Sequence, residues 1–255
     1  MTSLKLGIIK LGINGAYGKM GSAVAKLILQ QPKQYELTAK ISSSSKIEEI
    51  AEAFECSDII LDFSNSNGFD ALMSEAAGGK ARLLIGTTGL SQTQLRKLYE
   101  ISLIKPVLFA PNTSIGANLI AYLASKTAKI LNQYDVEIIE EHHRNKKDAP
   151  SGTALMIGKE IAKARNINFD ECAVFDRTQQ EIRKINDIGF SSIRAGGIYG
   201  NHEVMFAGDN EIISISCKAL SRRAFAEGAL LAAIWLSDKT PNFYSMQDVL
   251  DLPKS

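Results

Sequence analysis

The sequence predicts an α/β chain in two parts, a doubly wound parallel sheet followed by a mixed α+β sheet domain. Three observations predict it. Short apolar runs alternate with helical patterns from the N-terminus to Leu131. A glycine-rich turn, Gly12-Ile13-Asn14-Gly15-Ala16-Tyr17-Gly18-Lys19-Met20-Gly21, joins the first apolar run to the first helix. Beyond Phe190, three strand-like runs are separated by glycine turns. Alternation of strand and helix is the pattern of right-handed parallel βαβ units, and runs of strands with turn signals are that of an antiparallel meander.

Taken in order, Lys5 to Ile13 is an apolar run suited to a strand buried on both faces. The glycine turn leads from it into a helix patterned on Val24, Leu27 and Ile28. Strand, glycine turn and helix form a Rossmann-type opening. Its glycines allow a tight turn and close approach of backbone to a pyrophosphate, making Gly15, Ala16, Tyr17, Gly18, Lys19 and Met20 candidate dinucleotide contacts. Tyr35 to Ile41 reads as the second strand. An acidic residue at its end would bind the ribose hydroxyls of NAD and repel a 2′-phosphate. Ser42-Ser43-Ser44-Ser45-Lys46 stands there instead, which favours NADPH over NADH, with Ser42 and Ser43 as contacts. Ile47 to Phe54 is a short helix, Asp58 to Ser64 a third strand, and Gly68 to Ala77 a helix. Ala81 to Ile85 is a fourth strand, ending in Gly86-Thr87-Thr88-Gly89. Ser91 caps a helix through Leu103. Pro106 to Phe109 is a fifth strand, ending in Ala110-Pro111-Asn112-Thr113-Ser114. Ligands of such sheets sit at the carboxyl ends of the strands, where Gly86, Thr87, Thr88, Ala110, Pro111, Asn112 and Thr113 lie. Ile115 to Leu131 is a long helix carrying the chain into the second domain.

Val136 to Glu141 is a buried strand, and Ala154 to Ala162 an amphipathic helix. Between them, Glu140 to Ala154 gathers two of the three histidines, several cations and a helix start. Pro150 discourages helix before it and Ser151 is a good N-cap. Gly152 and Thr153 then present amides at the positive end of the helix dipole, an anion site sized for a carboxylate or phosphate. Lys146 adds a full charge to it. His142 and His143 point to opposite sides if the strand continues, and a histidine delivers a proton near neutral pH. Residues past Arg165 read as polar and irregular. Phe190 to Arg194, His202 to Ala207 and Glu211 to Cys217 form the expected meander. Ala219 opens the last helix, which runs to Leu236 and returns the chain to the first domain with the tail Phe243 to Leu250. The expected division is residues 1–113 with 222–255 as the dinucleotide-binding domain, and residues 114–221 as the domain for substrate and oligomerisation.

The composition excludes several classes. The chain has 255 residues, 45% hydrophobic and 22% charged, with a net charge of +1, so bulk charge gives no case for nucleic acid or a membrane surface. Met1-Thr2-Ser3-Leu4-Lys5 lacks a signal peptide and no apolar run spans a bilayer. Cys56, Cys172 and Cys217 are odd in number with no CxxC, which reads as reduced thiols in the cytoplasm. No metal site is expected, since adjacent histidines are poorly placed to share one ion.

His142-His143-Arg144-Asn145-Lys146-Lys147-Asp148-Ala149-Pro150-Ser151-Gly152-Thr153-Ala154 closely resembles the signature of the dihydrodipicolinate reductase family. Gly15-x-x-Gly18-x-Met20-Gly21, Asp62-Phe63-Ser64, Arg194-Ala195-Gly196 with His202, and the tail from Phe243 to Leu250 are similar to further segments of that family. The resemblance implies reduction of 4-hydroxy-tetrahydrodipicolinate, a small dianionic cyclic imine, to tetrahydrodipicolinate with NADPH or NADH in a homotetramer. It implies His142 as proton donor and Lys146 as the second catalytic group. Lys146, Ser151, Gly152 and Thr153 would clamp carboxylate, assisted by His143, with Arg222 near the substrate. Glu140 or Glu141 is placed to tune the histidine; a strand histidine such as His202 is more often structural than functional, and both readings of it stay open. Two rivals stand beside this reading. Another Rossmann dehydrogenase, such as an aldehyde enzyme, needs a nucleophilic cysteine in a defined loop, which neither Cys56 nor Cys217 supplies. A non-catalytic NADP-binding sensor commonly loses the proton donor, and this chain keeps one.

Overall fold

The computed structural model describes residues 7–178 and 182–253. The N-terminal segment Met1 to Lys5, and with it the start of the expected first strand, lies outside the described residues. The chain divides into two compact units, one reaching to Ile115 and resuming over Arg222–Pro253, the other spanning Gly116–Ser221.

In the first unit, β1 (Ile9–Asn14), α1 (Lys19–Gln30), β2 (Tyr35–Ile41), α2 (Ile47–Cys56), β3 (Ile59–Asp62), α3 (Ser66–Glu75), β4 (Arg82–Ile85), α4 (Gln92–Ser102) and β5 (Pro106–Phe109) alternate along the chain. After the second unit the chain adds α8 (Arg223–Leu236), β11 (Asn242–Tyr244) and α9 (Met246–Val249). The sheet order is β11-β5-β4-β3-β1-β2, with every pairing parallel. Both faces are buried, as the unbroken apolar strands require. Leu11, Ile13, Ile59 and Leu61 face a core shared with α1 and α8, whereas Ile60, Leu83 and Ile85 face one shared with α2, α3 and α4. The strand order reverses between β1 and β3, the crevice where doubly wound sheets bind ligands. Ser91 does cap α4. Its Oγ accepts from the Gln94 amide at 3.2 Å, and the Gln94 side chain accepts from the Ser91 amide at 2.9 Å.

The second unit contains α5 (Ile115–Ile130), β6 (Asp135–His142), α6 (Gly152–Arg165), α7 (Phe169–Cys172), β7 (Ala173–Val174), β8 (Ile188–Arg194), β9 (Asn201–Ala207) and β10 (Ile212–Lys218). Its sheet order is β10-β9-β6-β8-β7. The three late strands are therefore not a simple antiparallel meander. β9 and β10 are antiparallel neighbours, but β6 lies between β8 and β9, and β8 runs parallel to β6. The apolar pattern of β8 marks a strand without naming its partner, and β6 is buried enough to take a parallel neighbour. The stretch after Arg165 is also more regular than expected. Asn166 closes α6 in the left-handed conformation at φ 55°, Asn168 caps α7, and β7 follows. The last helix begins at Arg223 rather than Ala219.

Gly228 on α8 sits against the main chain after β5. A Cβ at this position would overlap the Thr113 carbonyl oxygen, a backbone atom that cannot swing away. Gly228→Ala should lower stability by about 1–3 kcal/mol, read as a lower denaturant midpoint at unchanged slope. An unchanged midpoint would contradict this close packing.

Candidate active site

The site in the second unit follows from strand alternation. Along β6, Val136, Ile138, Glu140 and His142 are buried on one face, while Glu137, Ile139 and Glu141 are partly exposed on the other. Near the start of β6 the buried face is apolar, with Ile188, Phe190, Val204 and Phe206 beside it and α5 and α6 over it. Near the carboxyl end it turns polar. The register sets Ser192 and His202 opposite Glu140, and Arg194 opposite His142.

These residues form one hydrogen-bonded cluster. Glu140 is 1% exposed. Its Oε2 accepts from His142 Nδ1 at 2.5 Å and from Arg194 Nη1 at 2.8 Å. Its Oε1 accepts from Arg194 Nη2 at 2.6 Å and from the Ser151 amide at 3.1 Å. Burial raises the Glu140 carboxyl, but hydrogen bonds from Arg194, Ser192 and His142 outweigh it and hold the group at about 2. Glu140, not Glu141, therefore partners the histidine, while Glu141 accepts from Asn201 on the opposite face. Burial lowers His142 against the raising effect of Glu140, so the ring rests neutral at pH 7. His202 is drawn into the cluster as well. Its Nε2 lies 2.9 Å from Ser151 Oγ, and its ring meets that of His142 edge-on at 5.3 Å.

Ser151 caps α6 as expected, its Oγ accepting from the Ala154 amide at 3.2 Å. Gly152 is exposed, and a Cβ there would meet nothing, so the first turn of α6 opens outward. Thr153 follows in the same turn. Lys146 is not the free charge that the spacing suggests. It pairs with Asp148 at 2.7 and 2.9 Å, a largely exposed carboxylate that an incoming anion can replace. Arg194 Nη2 also donates to the Asp148 carbonyl at 2.6 Å, tying the loop to β8. β6 ends at His142, so strand alternation does not reach His143, whose buried Nδ1 has no hydrogen-bond partner among the described residues. Arg222 belongs to the first unit, as the N-cap residue of α8. A separate cavity of about 510 Å³, lined by Asn132, Gln133, Arg165, Ile167, Ile185 and Asn186, contains none of the expected site residues.

The expected cofactor residues lie at the carboxyl ends of the first unit's strands. Gly15 adopts φ 74° and passes so close to Phe63 that a Cβ would stand 2.5 Å from its carbonyl oxygen. Its amide and that of Ala16 bond the Ile41 carbonyl, which locks the turn to β2. Tyr17 and Lys19 are exposed. Gly18 begins α1 with no side-chain cap, and the first turn, which includes Lys19 and Met20, carries no acidic residue. An uncapped helix start over a glycine turn at the strand switch point fits a dinucleotide pyrophosphate. Asp62 organises the strand ends, accepting from Asn14 at 2.9 Å, from the Ser64 amide at 3.1 Å and from Thr87 Oγ1 at 2.8 Å. The hydroxyls of Thr87 and Thr113 are thus already engaged, the latter donating to the Phe225 carbonyl at 2.7 Å. Gly86 packs on the Phe63 ring, with Thr88 exposed after Thr87. Ala110 is buried, Pro111 exposed, and Asn112 Oδ1 accepts from the Ser114 amide. Ser42 and Ser43 lie in a turn rather than a loose linker. Ser42 Oγ is 2.8 Å from Ser44 Oγ, and the Ser42 amide donates to Ser45 Oγ. Among the described residues no cluster of histidine, cysteine or acidic groups is arranged to hold a metal ion, and no helix is long and apolar enough to cross a membrane.

Sequence motifs missed Arg194 and His202 as parts of this cluster, because both arrive by strand pairing across a sheet. The alternation along β6 could have separated Glu140 from Glu141.

Comparisons with known proteins agree along the chain. Residues 9–113 match the N-terminal model of dihydrodipicolinate reductase, and residues 116–250 match its C-terminal model. A 4-hydroxy-tetrahydrodipicolinate reductase of Rickettsia rickettsii is 41% identical over 242 residues, covering 95% of this chain and 99% of the relative. The same enzyme of Campylobacter jejuni is 39% identical over 246 residues, covering 96% and 100%. Among solved structures, a dipicolinate-bound dihydrodipicolinate reductase from Paenisporosarcina sp. TG-14 superposes at a TM-score of 0.72. It is 22% identical and covers 93% of this chain and 97% of that one, a likeness of fold.

The cluster predicts a pH dependence of stability. Burial and the nearby His142 push His202 from 6.5 down to about 4. Between those values the unfolded chain binds more protons than the folded one. Stability is therefore full above pH 6.5 and declines as the pH falls towards 4, by on the order of 3 kcal/mol for this shift. Thermal midpoints should fall between pH 7 and pH 5, with a shallower fall in His202→Gln. A midpoint that stays level over that range would contradict the buried, neutral His202.

Proposed function

The chain belongs to the dihydrodipicolinate reductase family, and on that premise we propose how its own residues act. It is an oxidoreductase that reduces 4-hydroxy-tetrahydrodipicolinate to tetrahydrodipicolinate with NAD(P)H, in the diaminopimelate route to lysine. The observation that carries the chemistry is the His142–Glu140 hydrogen bond beside the capped start of α6.

Residues 1–113 with 222–255 form the cofactor domain, and residues 114–221 the substrate and oligomerisation domain. The turn Gly15, Ala16, Tyr17, Gly18, Lys19 and Met20 holds the pyrophosphate against the start of α1. Gly86, Thr87 and Thr88 with Ala110, Pro111, Asn112 and Thr113 border the nicotinamide half, Thr87 and Thr113 by their main chain. Bound NAD(P)H supplies the hydride. NADPH is the preferred cofactor, since Ser42, Ser43 and the neighbouring Lys46 present hydroxyls and a cation where an acid would repel the 2′-phosphate.

Lys146 leaves Asp148 for a substrate carboxylate, which the first turn of α6 at Ser151, Gly152 and Thr153 also receives. His143 assists at the same anion. Arg222 adds a cation from the start of α8. His142 delivers the proton to the reduced ring, and Lys146 supports that step by stabilising negative charge. The protein works in the cytoplasm as a homotetramer, and the exposed Ile212 and Ile213 of β10 suit a sheet that meets another subunit.

A coupled assay tests this reading. The purified protein receives the product of dihydrodipicolinate synthase, and absorbance of NADPH, then of NADH, is followed. Substrate-dependent oxidation is expected, faster with NADPH; no oxidation with either cofactor would refute the assignment. His142→Gln should lower kcat by about 10²–10⁴-fold with little change in KM. Lys146→Ala should raise KM and lower kcat together, and an unchanged KM would argue against the carboxylate clamp.

A further inference from the structure

We propose that Glu140, clamped by Arg194, is the positioning residue that fixes His142 with Nδ1–H on the carboxylate and Nε2 presented for proton transfer. The inference rests on the reading of His142 as proton donor. Three features carry it. The first is saturation of the carboxylate. Its two oxygens receive His142, both outer nitrogens of Arg194 and the Ser151 amide, which fills the acceptor positions of an ionised group and leaves no place for a proton. The proton of the 2.5 Å contact therefore belongs to His142 Nδ1, and Nε2 is the nitrogen that gains and loses a proton.

The second feature is space at Nε2. Gly200, at φ 155°, lies beside the ring, and a Cβ there would stand 3.0 Å from His142 Nε2. Glycine at this position keeps a side chain away from the working nitrogen. The third is the second duty of both partners. Glu140 holds the Ser151 amide, and Arg194 holds the Asp148 carbonyl. One ion pair thus sets the histidine, the start of the anion-binding helix and the loop bearing Lys146. The charged and titratable groups that face His142 are Glu140 from β6, Lys146 from the loop, Arg194 from β8 and His202 from β9.

Glu140→Gln keeps the shape of the side chain and removes its charge. The expected result is a kcat lower by about tenfold or more with substrate KM within about threefold, as when the orienting carboxylate of a catalytic histidine is neutralised. Because the carboxylate raises His142, the basic limb of the kcat–pH profile should also move to lower pH, which a merely structural role would not produce. Arg194→Lys keeps the charge but loses the fork that holds the carboxylate, and should lower kcat in the same way by less, with substrate KM again within about threefold. An active wild-type protein whose Glu140→Gln variant keeps kcat within twofold and the same limb overturns the proposal alone. A wild-type protein that oxidises neither cofactor overturns the functional reading and this role with it. Should Glu140→Gln fail to fold, Arg194→Lys decides: a lowered kcat at a KM within about threefold supports the role, and an unchanged kcat overturns it.

Discussion

The second unit depends on one buried anion. A carboxylate at 1% exposure is tolerable only when every acceptor position is met, because removing one partner from a buried ion pair costs about 3–5 kcal/mol. Glu140 meets that condition with groups from three places, the end of β6, the end of β8 and the start of α6. β8 must lie parallel to β6 at the register that brings Arg194 level with His142. The chain after His143 must turn back so that the Ser151 amide reaches the same carboxylate. The loop that carries Lys146 is bounded by these two anchors. Its conformation thus follows from the electrostatics of a single group.

A milder version of the same constraint orders the first unit. Asp62 is fully buried at the end of β3, and burial pushes its carboxyl up despite hydrogen bonds from Ser64, Thr87 and Asn14. Those donors come from the end of β1, the loop after β3 and the turn after β4, so the carboxyl ends of neighbouring strands are tied at one level. The glycine turn then lies on a firm base, with Gly15 against Phe63 and its amide on Ile41. Rigid strand ends below an uncapped helix start suit a ligand held mainly by backbone.

Much of this was legible in the amino-acid sequence where the signal is local. Strands β2 and β5 begin and end where the apolar runs do, and Ser91 and Ser151 cap the helices their positions suggest. The glycine turn needs only its own backbone geometry. Pairing between distant segments was not legible. The pattern of Phe190 to Arg194 marks a strand, but that it joins β6 in parallel depends on which faces are buried. For the same reason Arg194 and His202 are isolated residues in the chain, yet β8 and β9 bring them to either side of the end of β6. Strands as short as β7 and β11 carry too few residues for a period to register. Lys146 and Asp148 illustrate a further limit, since two residues apart in an irregular loop leaves open whether the side chains meet.

The most direct test of the account is the protonation pattern of His142 itself, read by ¹⁵N magnetic resonance on the unmodified protein between pH 5 and pH 8. The account predicts a ring protonated on Nδ1 at neutral pH, with Nε2 as the nitrogen that titrates, below pH 6.5. A ring protonated on Nε2 at neutral pH would contradict it, because the Glu140 carboxylate could then not be the acceptor on which the site is built.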